Sequence, residues 1–304
     1  MLKNYRIDEG RLTECGDQSG PVLVYTSPDA SERLFLLESL KIDEHTLNSA
    51  LDPDELSRLE FEPDHTALIF KRPKNYSSQD EFLFKVSSVG VFLFRDKLVV
   101  VAPEEAPLFE GKQFQRVSSL NELLLKVIYR SIYHYLEHLR IINMITDSLE
   151  DKISASMENK YLLNLFTLEK SLVYYLNAIN TNSMLIEKLK LNSAKLGFSP
   201  EDLEFLDDII IENNQCYRQA EIYSNILASM MDARVSIVSN NLNVLMKTLN
   251  IITIGIMVPT FVVSAFSMNV RIPLSFHHHA FWIIMGLALI SVVFFYLFWK
   301  FKKW

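Results

Sequence analysis

Leu249 to Met268 reads LNIITIGIMVPTFVVSAFSM, twenty residues without a charge, and Ala280 to Trp299, AFWIIMGLALISVVFFYLFW, is a second run of the same length. At ~1.5 Å per residue, each is about long enough to cross a ~30 Å hydrocarbon core. The pair reads as two transmembrane helices joined by an extracytoplasmic loop, residues 269–279. Lys300, Lys302 and Lys303 follow the second span and Arg234 and Lys247 precede the first, against Arg271 alone in the loop. That positive-inside bias puts both termini in the cytoplasm, in a plasma or inner membrane. Trp282, Trp299 and Trp304 mark the interfaces.

Upstream of the spans the composition changes twice. Seven of the ten prolines fall in the first 107 residues, whereas Lys112 to Ile254 holds one glycine, Gly197, and one proline, Pro200. The runs PVLVY (21–25), TALIFKRP (66–73) and EFLFKVSSVGVFLFRDKLVVVAP (81–103) are β-branched and aromatic between turn residues, and read as strands of a cytoplasmic α/β domain over 1–117. Between them, Ser39 to Leu59 has apolar residues at helical spacing, and Asp52 and Pro53 divide it into two short helices. Residues 118–248 read as long stalk helices: one to about Met157, one from Asn159 to Asn192, then a third capped by Ser199 with Pro200 at its first position. Apolar residues recur along the third from Leu203 through Leu249, and no breaker separates it from the first span. A continuous helix from Pro200 to Met268 is a rod of roughly 100 Å. The fold class is thus an α+β membrane protein: α/β domain, stalk, transmembrane helix 249–268, loop 269–279, transmembrane helix 280–299 and a basic tail 300–304.

Several functions are excluded early. With 49% hydrophobic residues and a mean hydropathy of +0.11, the chain is oily for a soluble protein. A net charge of −7 argues against nucleic-acid binding, which needs clustered Lys and Arg. Cys15 and Cys216 lie far apart and read as two inert thiols in a reducing compartment. The opening MLKNYRIDEGRL lacks a signal-peptide core, so nothing there is expected to export the bulk of the chain. His134-Tyr135-Leu136-Glu137-His138 matches the H-x-x-E-H pattern of some zinc peptidases, but no further ligand carboxylate is signposted and the segment sits in the stalk. Without a P-loop, a G-x-G-x-x-G or a G-x-S-x-G, neither ATP-driven transport nor an enzyme is expected, and no organic cofactor.

Two helices per chain cannot surround water, so conduction would need the axis of a ring of identical chains. In the first span and just before it, Asn243, Asn250, Met257 and Ser264 lie seven apart, and Met246, Thr253, Thr260 and Ser267 form a parallel set. Together they make one narrow face of amides, hydroxyls and thioethers. Such a face either lines a pore or glues membrane helices together. All 37 acids lie at or before Asp232, so a passing cation would meet neutral dipoles; that suits Mg²⁺, which keeps much of its water shell. The acids Glu201, Asp202, Glu204, Asp207, Asp208 and Glu212 crowd the start of the third long helix, where a solvated N-terminal face explains most of them.

Phe266-Ser267-Met268-Asn269, the two C-terminal spans, the tail KFKKW (300–304) and LDPDELSRLEFEPDH (51–65) resemble the CorA-type divalent metal transporters over nearly the whole chain. The family signature is Tyr-Gly-Met-Asn, of which Met268 and Asn269 remain. The resemblance implies a funnel-shaped homopentamer in membrane lipid, carrying Mg²⁺ or another divalent cation downhill as both substrate and regulator. It implies that Asn269 forms an outer amide ring, that Thr260, Met257, Leu249 and Asn243 face the pore with its hydrophobic constriction, and that Asp208 binds regulatory Mg²⁺ between subunits, with Asp80 the nearest candidate partner. The resemblance further implies that loss of that Mg²⁺ would let acidic faces repel and the stalks splay. The departures carry weight. Ser267 replaces the glycine, Phe266 lacks the tyrosine hydroxyl, the mid-span proline is displaced to Pro259, and the loop VRIPLSFHHH has no acid to concentrate cations. His277, His278 and His279 are either borderline-soft ligands for Zn²⁺, Ni²⁺ or Co²⁺ at the mouth, as in a ZntB-like zinc transporter, or polar headgroup-level residues. A non-conducting membrane-anchored sensor or scaffold is the third expectation.

Overall fold

The computed structural model describes residues 1–8, 10–16, 20–77, 81–105, 107–155, 159–268 and 277–302. They form two compact units, Met1–Met231 and Asp232–Trp304.

The first unit is built on seven strands: β1 (Leu2–Asp8), β2 (Arg11–Cys15), β3 (Val22–Thr26), β4 (Arg58–Phe61), β5 (His65–Pro73), β6 (Val86–Phe94) and β7 (Leu98–Ala102), in the spatial order β2-β1-β3-β7-β6-β5-β4. Every pairing is antiparallel except β3 with β7. Helices α1 (Ala30–Glu38) and α2 (Glu44–Leu51) cover one face; α3 (Leu120–Ala155), α4 (Asn159–Leu191) and the first part of α6 (Pro200–Phe266) join the core on the other. A one-turn α5 (Ser193–Leu196) lies between α4 and α6.

Strand β7 shows why a sheet covered on both sides needs continuous apolar runs. Leu98, Val100 and Ala102 join the core under α3 and α4, while Val99 and Val101 join the core under α1 and α2. Gly90 in β6 lets α2 sit close, because a Cβ there would lie 2.5 Å from the Ala50 Cβ. Asn182 of α4 extends the sheet beyond the end of β4. Its Oδ1 accepts from Lys71 N at 2.8 Å, and its Nδ2 donates to Lys71 O at 2.8 Å.

Two sequence expectations change. Only α2 lies within Ser39–Leu59; past Asp52 and Pro53 the chain turns into β4, while the other short helix is α1, held by a capping box between Asp29 and Glu32. The hairpin of β1 and β2 occupies a polar stretch with no strand signal. The long helices follow their patterns. Gly197 ends α5 at φ +70°, and Ser199 Oγ accepts from Asp202 N at 3.1 Å while the Asp202 carboxylate accepts from Ser199 N at 2.9 Å. Both thiols are free, and burial pushes the Cys216 thiol up to about 12, which keeps it inert.

In the second unit, α6 and α7 (Ala280–Lys302) are long and apolar enough to cross a membrane, and the apolar window of each is almost wholly uncovered by protein. Pro259 sits inside α6 without breaking it, removing the N–H that would otherwise reach the Gly255 carbonyl.

Candidate functional site

Helix α6 has two unlike sides within the second unit. Ile251, Gly255, Val258, Pro259, Val262, Ala265 and Phe266 are partly covered, and α7 supplies the cover at Gly255, where an added Cβ would lie 3.9 Å from Phe295 Cε1. About half a turn away at 3.6 residues per turn, Met246, Thr253, Met257, Thr260 and Ser264 are exposed. Leu249 and Ser267 flank this row on one edge, Asn243 and Asn250 on the other, all of them exposed. The stripe is therefore a band about a third of the circumference wide, broader than the narrow face expected. Met246 and Thr253 of the row, with Asn243 and Asn250, also line a groove of about 790 Å³ whose walls include Ile254 and, from α7, Phe295 and Phe298.

The hydroxyl chemistry of this band is specific. Thr253 Oγ1 donates to Leu249 O at 2.8 Å, Thr260 Oγ1 to Ile256 O at 2.7 Å and Ser267 Oγ to Ser264 O at 2.9 Å. With each hydrogen committed to the helix's own backbone, the outward lone pairs remain as acceptors. Met268 is exposed at the helix end, and Asn269 lies outside the described residues. His277, His278 and His279 are exposed where α7 begins, the last two with ring centroids 5.2 Å apart.

At the start of α6 the acids separate into different jobs. Asp202 is buried in the cap, and Asp207 pairs with Lys190 at 2.6 Å. Hydrogen bonds from its own backbone and from Ser199 hold the exposed Glu201 carboxyl below its ordinary value. Asp208 is exposed and makes no ion pair among the described residues, which leaves it open to a cation; Asp80 lies outside them. The Lys190 partner was not legible, being a cation seventeen positions back across a turn.

The H-x-x-E-H segment is a packed helix face. His138 Nδ1 lies 2.6 Å from the Tyr175 hydroxyl, Glu137 pairs with Arg130 at 3.0 Å, and burial lowers His138 to about 4 and His134 to about 3. Among the described residues no group of three His, Cys, Asp or Glu side chains converges to hold a metal.

The first unit is a mixed α/β fold, and the second holds two helices long and apolar enough to cross a membrane, the first of them carrying an uncharged polar band. The family model for the CorA-like Mg²⁺ transporter protein matches residues 23–303, and the chain belongs to that family, whose members are transporters and not enzymes. The cobalt/magnesium transport protein CorA of Methanocaldococcus jannaschii is 24% identical over 288 residues, covering 91% of this chain and 89% of the relative. The complete structure of the CorA magnesium transporter from the same organism superposes with a TM-score of 0.81 at 22% identity, over 98% of this chain and 96% of that one. Full-length CmaX gives 0.76 at 16% identity over 99% and 97%, and the ZntB cytoplasmic domain from Vibrio parahaemolyticus 0.60 at 14% over 78% and 98%.

Proposed function

We propose that the chain forms a divalent-cation channel, a homopentamer whose α6 helices line the axis and pass Mg²⁺ or a related ion down its gradient. The observation that carries this reading is the exposed band about half a turn from the face that meets Phe295, in which Thr253, Thr260 and Ser267 have already spent their hydroxyl hydrogens. Five such bands around an axis would offer uncharged acceptors to an ion that keeps part of its water shell. Met257 and Leu249 would supply the apolar constriction and Asn269 the outer amide ring. A neighbouring copy's α6 would fill the groove beside Asn243 and Asn250. The lysines near both helix ends support cytoplasmic termini in a plasma or inner membrane.

Gating would run through the cytoplasmic acids. A divalent ion bound at Asp208 with a neighbour's carboxylate, Asp80 being the candidate, would hold the subunits in the shut arrangement, and its loss would let like charges part. The cation is thus both cargo and regulator. Domain limits follow the same logic: 1–117 for the sheet domain, 118–248 for the stalk and 249–299 for the spans with their loop.

A second reading has its own support. Three exposed histidines beside the start of α7, with no acid in the loop, favour a softer ion such as Zn²⁺, Ni²⁺ or Co²⁺ at the mouth. Purified protein in liposomes loaded with a divalent-sensitive dye, challenged with Mg²⁺, Co²⁺, Ni²⁺ and Zn²⁺ in turn, separates the two. Preferred Mg²⁺ entry supports the hydrated-ion path, preferred Zn²⁺ entry lost on replacing the histidines supports the soft-ligand mouth, and no entry of any ion supports a non-conducting scaffold.

A further inference from the structure

Two adjacent cations of β5 are almost completely buried, and they are treated very differently. Lys71, 4% exposed, has its ammonium held by the Pro53 carbonyl at 2.6 Å and Ser88 Oγ at 2.9 Å. Arg72, 3% exposed, donates a long bond from Nη2 to Asn75 Oδ1 at 3.3 Å, and its Nη1 has no partner among the described residues. A guanidinium cannot shed its proton, so Arg72 is a buried positive charge with unmet donors.

The groups facing it do not meet the deficit. Glu104 is the carboxylate whose charge acts most strongly on it, but its Oε2 is engaged by Lys74 at 3.0 Å and its Oε1 meets no hydrogen-bond partner among the described residues. Arg130 adds a second cation and spends Nη1 on Glu137. Arg72, Arg130 and His134 line one small cavity between β5 and α3, closed by apolar walls that include Phe70, Leu108 and Val127. The centre of a water-sized sphere can move there over about 10 Å³, roughly the space of a single occupant. A phosphate or an organic carboxylate is too large. A lone water would satisfy a donor but add no negative charge to a pocket that holds two guanidinium groups.

We propose that this cavity binds one small monovalent anion of halide type, held by Arg72 with Arg130 and His134 around it, and that the anion is part of the folded cytoplasmic unit. A halide there gives up its hydration, a cost offset by charge-assisted bonds from the guanidinium donors, and it neutralises positive charge that is already buried. The site belongs to the first unit alone and needs no divalent cation. Its consequence is linkage: the folded state takes up the anion and the unfolded chain does not, so stability rises with halide concentration until the site fills.

The test is thermal unfolding of the purified full chain in detergent, with sodium chloride or bromide replacing sodium gluconate at constant ionic strength. The expected result is a saturating rise in Tm of roughly 2–4 °C, absent in Arg72→Gln. Equal Tm values in gluconate and chloride, or a halide response that survives in Arg72→Gln, would overturn the proposal. Should Arg72→Gln not fold, crystals of the native chain grown in bromide decide the matter: an anomalous peak between Arg72 and Arg130 supports the site, and none there refutes it.

Discussion

Thr253 and Thr260 stand two turns apart on one side of α6, and each gives its hydroxyl hydrogen to the carbonyl of the fourth residue before it, at 2.8 and 2.7 Å. The oxygens that remain outward can only accept. This shared geometry turns a pair of polar residues in an apolar span into a surface suited to a cation and unsuited to an anion.

Replacing both threonines with valine keeps their shape and removes the oxygens. Divalent influx into liposomes should fall by roughly tenfold or more, the equivalent of about 1.4 kcal/mol on the barrier, with unchanged oligomer size on a sizing column. Replacing Val258 and Val262 with alanine, on the partly covered side, should leave influx within about twofold.

Asp208 and Asp207 are neighbours with opposite expectations. Asp208→Asn should raise the cytoplasmic Mg²⁺ needed to halve the flux by roughly tenfold, as the coupling energies of regulatory sites allow. Asp207→Asn removes only an exposed pair with Lys190 and should change neither the flux nor Tm appreciably. Flux against internal Mg²⁺ measures both.

Asn182→Ala strips Lys71 of the side chain that satisfies both its backbone N–H and C=O. Ser131 Oγ still donates to that carbonyl at 3.0 Å, but the buried N–H is left unmet. The expected loss is about 2–3 kcal/mol, read as a lower denaturation midpoint with the helical content of the folded state unchanged.

Acid should loosen the first unit through His138. Its folded pKa of about 4, set by burial and then by the Arg72 charge, lies below the ~6.5 of an unfolded histidine. The sign is therefore that of a group buried neutral. Its contribution is fully present above pH ~6.5 and is lost as pH falls toward ~4, at about 1.4 kcal/mol per unit and about 3 kcal/mol in all. His134, lowered by burial and by His138, acts in the same direction. Melting temperature against pH should fall less steeply in His138→Asn than in the native chain.

What could be read in advance was what local pattern dictates. Strands β5, β6 and β7 are buried on both faces, so their runs of Val, Leu and Phe stand out against any neighbour. Helices α3, α4 and α6 announce themselves by length, missing breakers and the Ser199 cap. The β1–β2 hairpin did not, because Lys3, Arg6, Arg11 and Glu14 interrupt its apolar residues; only the folded pairing with β3 brings Tyr5, Ile7 and Leu12 together against the core. The stretch after Pro53 carried helical spacing, yet Arg58 to Phe61 became the edge strand because β5 offered it a free ladder.

The polar band of α6, proposed to line the ion path, was visible as a seven-residue spacing, but its placement away from the face that meets Phe295 depends on how α7 docks, which no periodicity encodes. The acids of α6 were legible only as a cluster. That Asp202 caps, Asp207 pairs and Asp208 stays open depends on Ser199 and Lys190 arriving from the preceding turn and helix.

The central claim is that the band from Met246 to Ser264 meets water at the middle of an assembly. Single cysteines placed along α6 from 246 to 264, in a background with Cys15 and Cys216 replaced by serine, test it through reaction with a charged, membrane-impermeant thiol reagent during flux. Labelling and block at positions 246, 253, 257, 260 and 264, with protection at 251, 258 and 262, is the result predicted. Protection of the threonine side, or equal labelling all around the helix, would contradict the account.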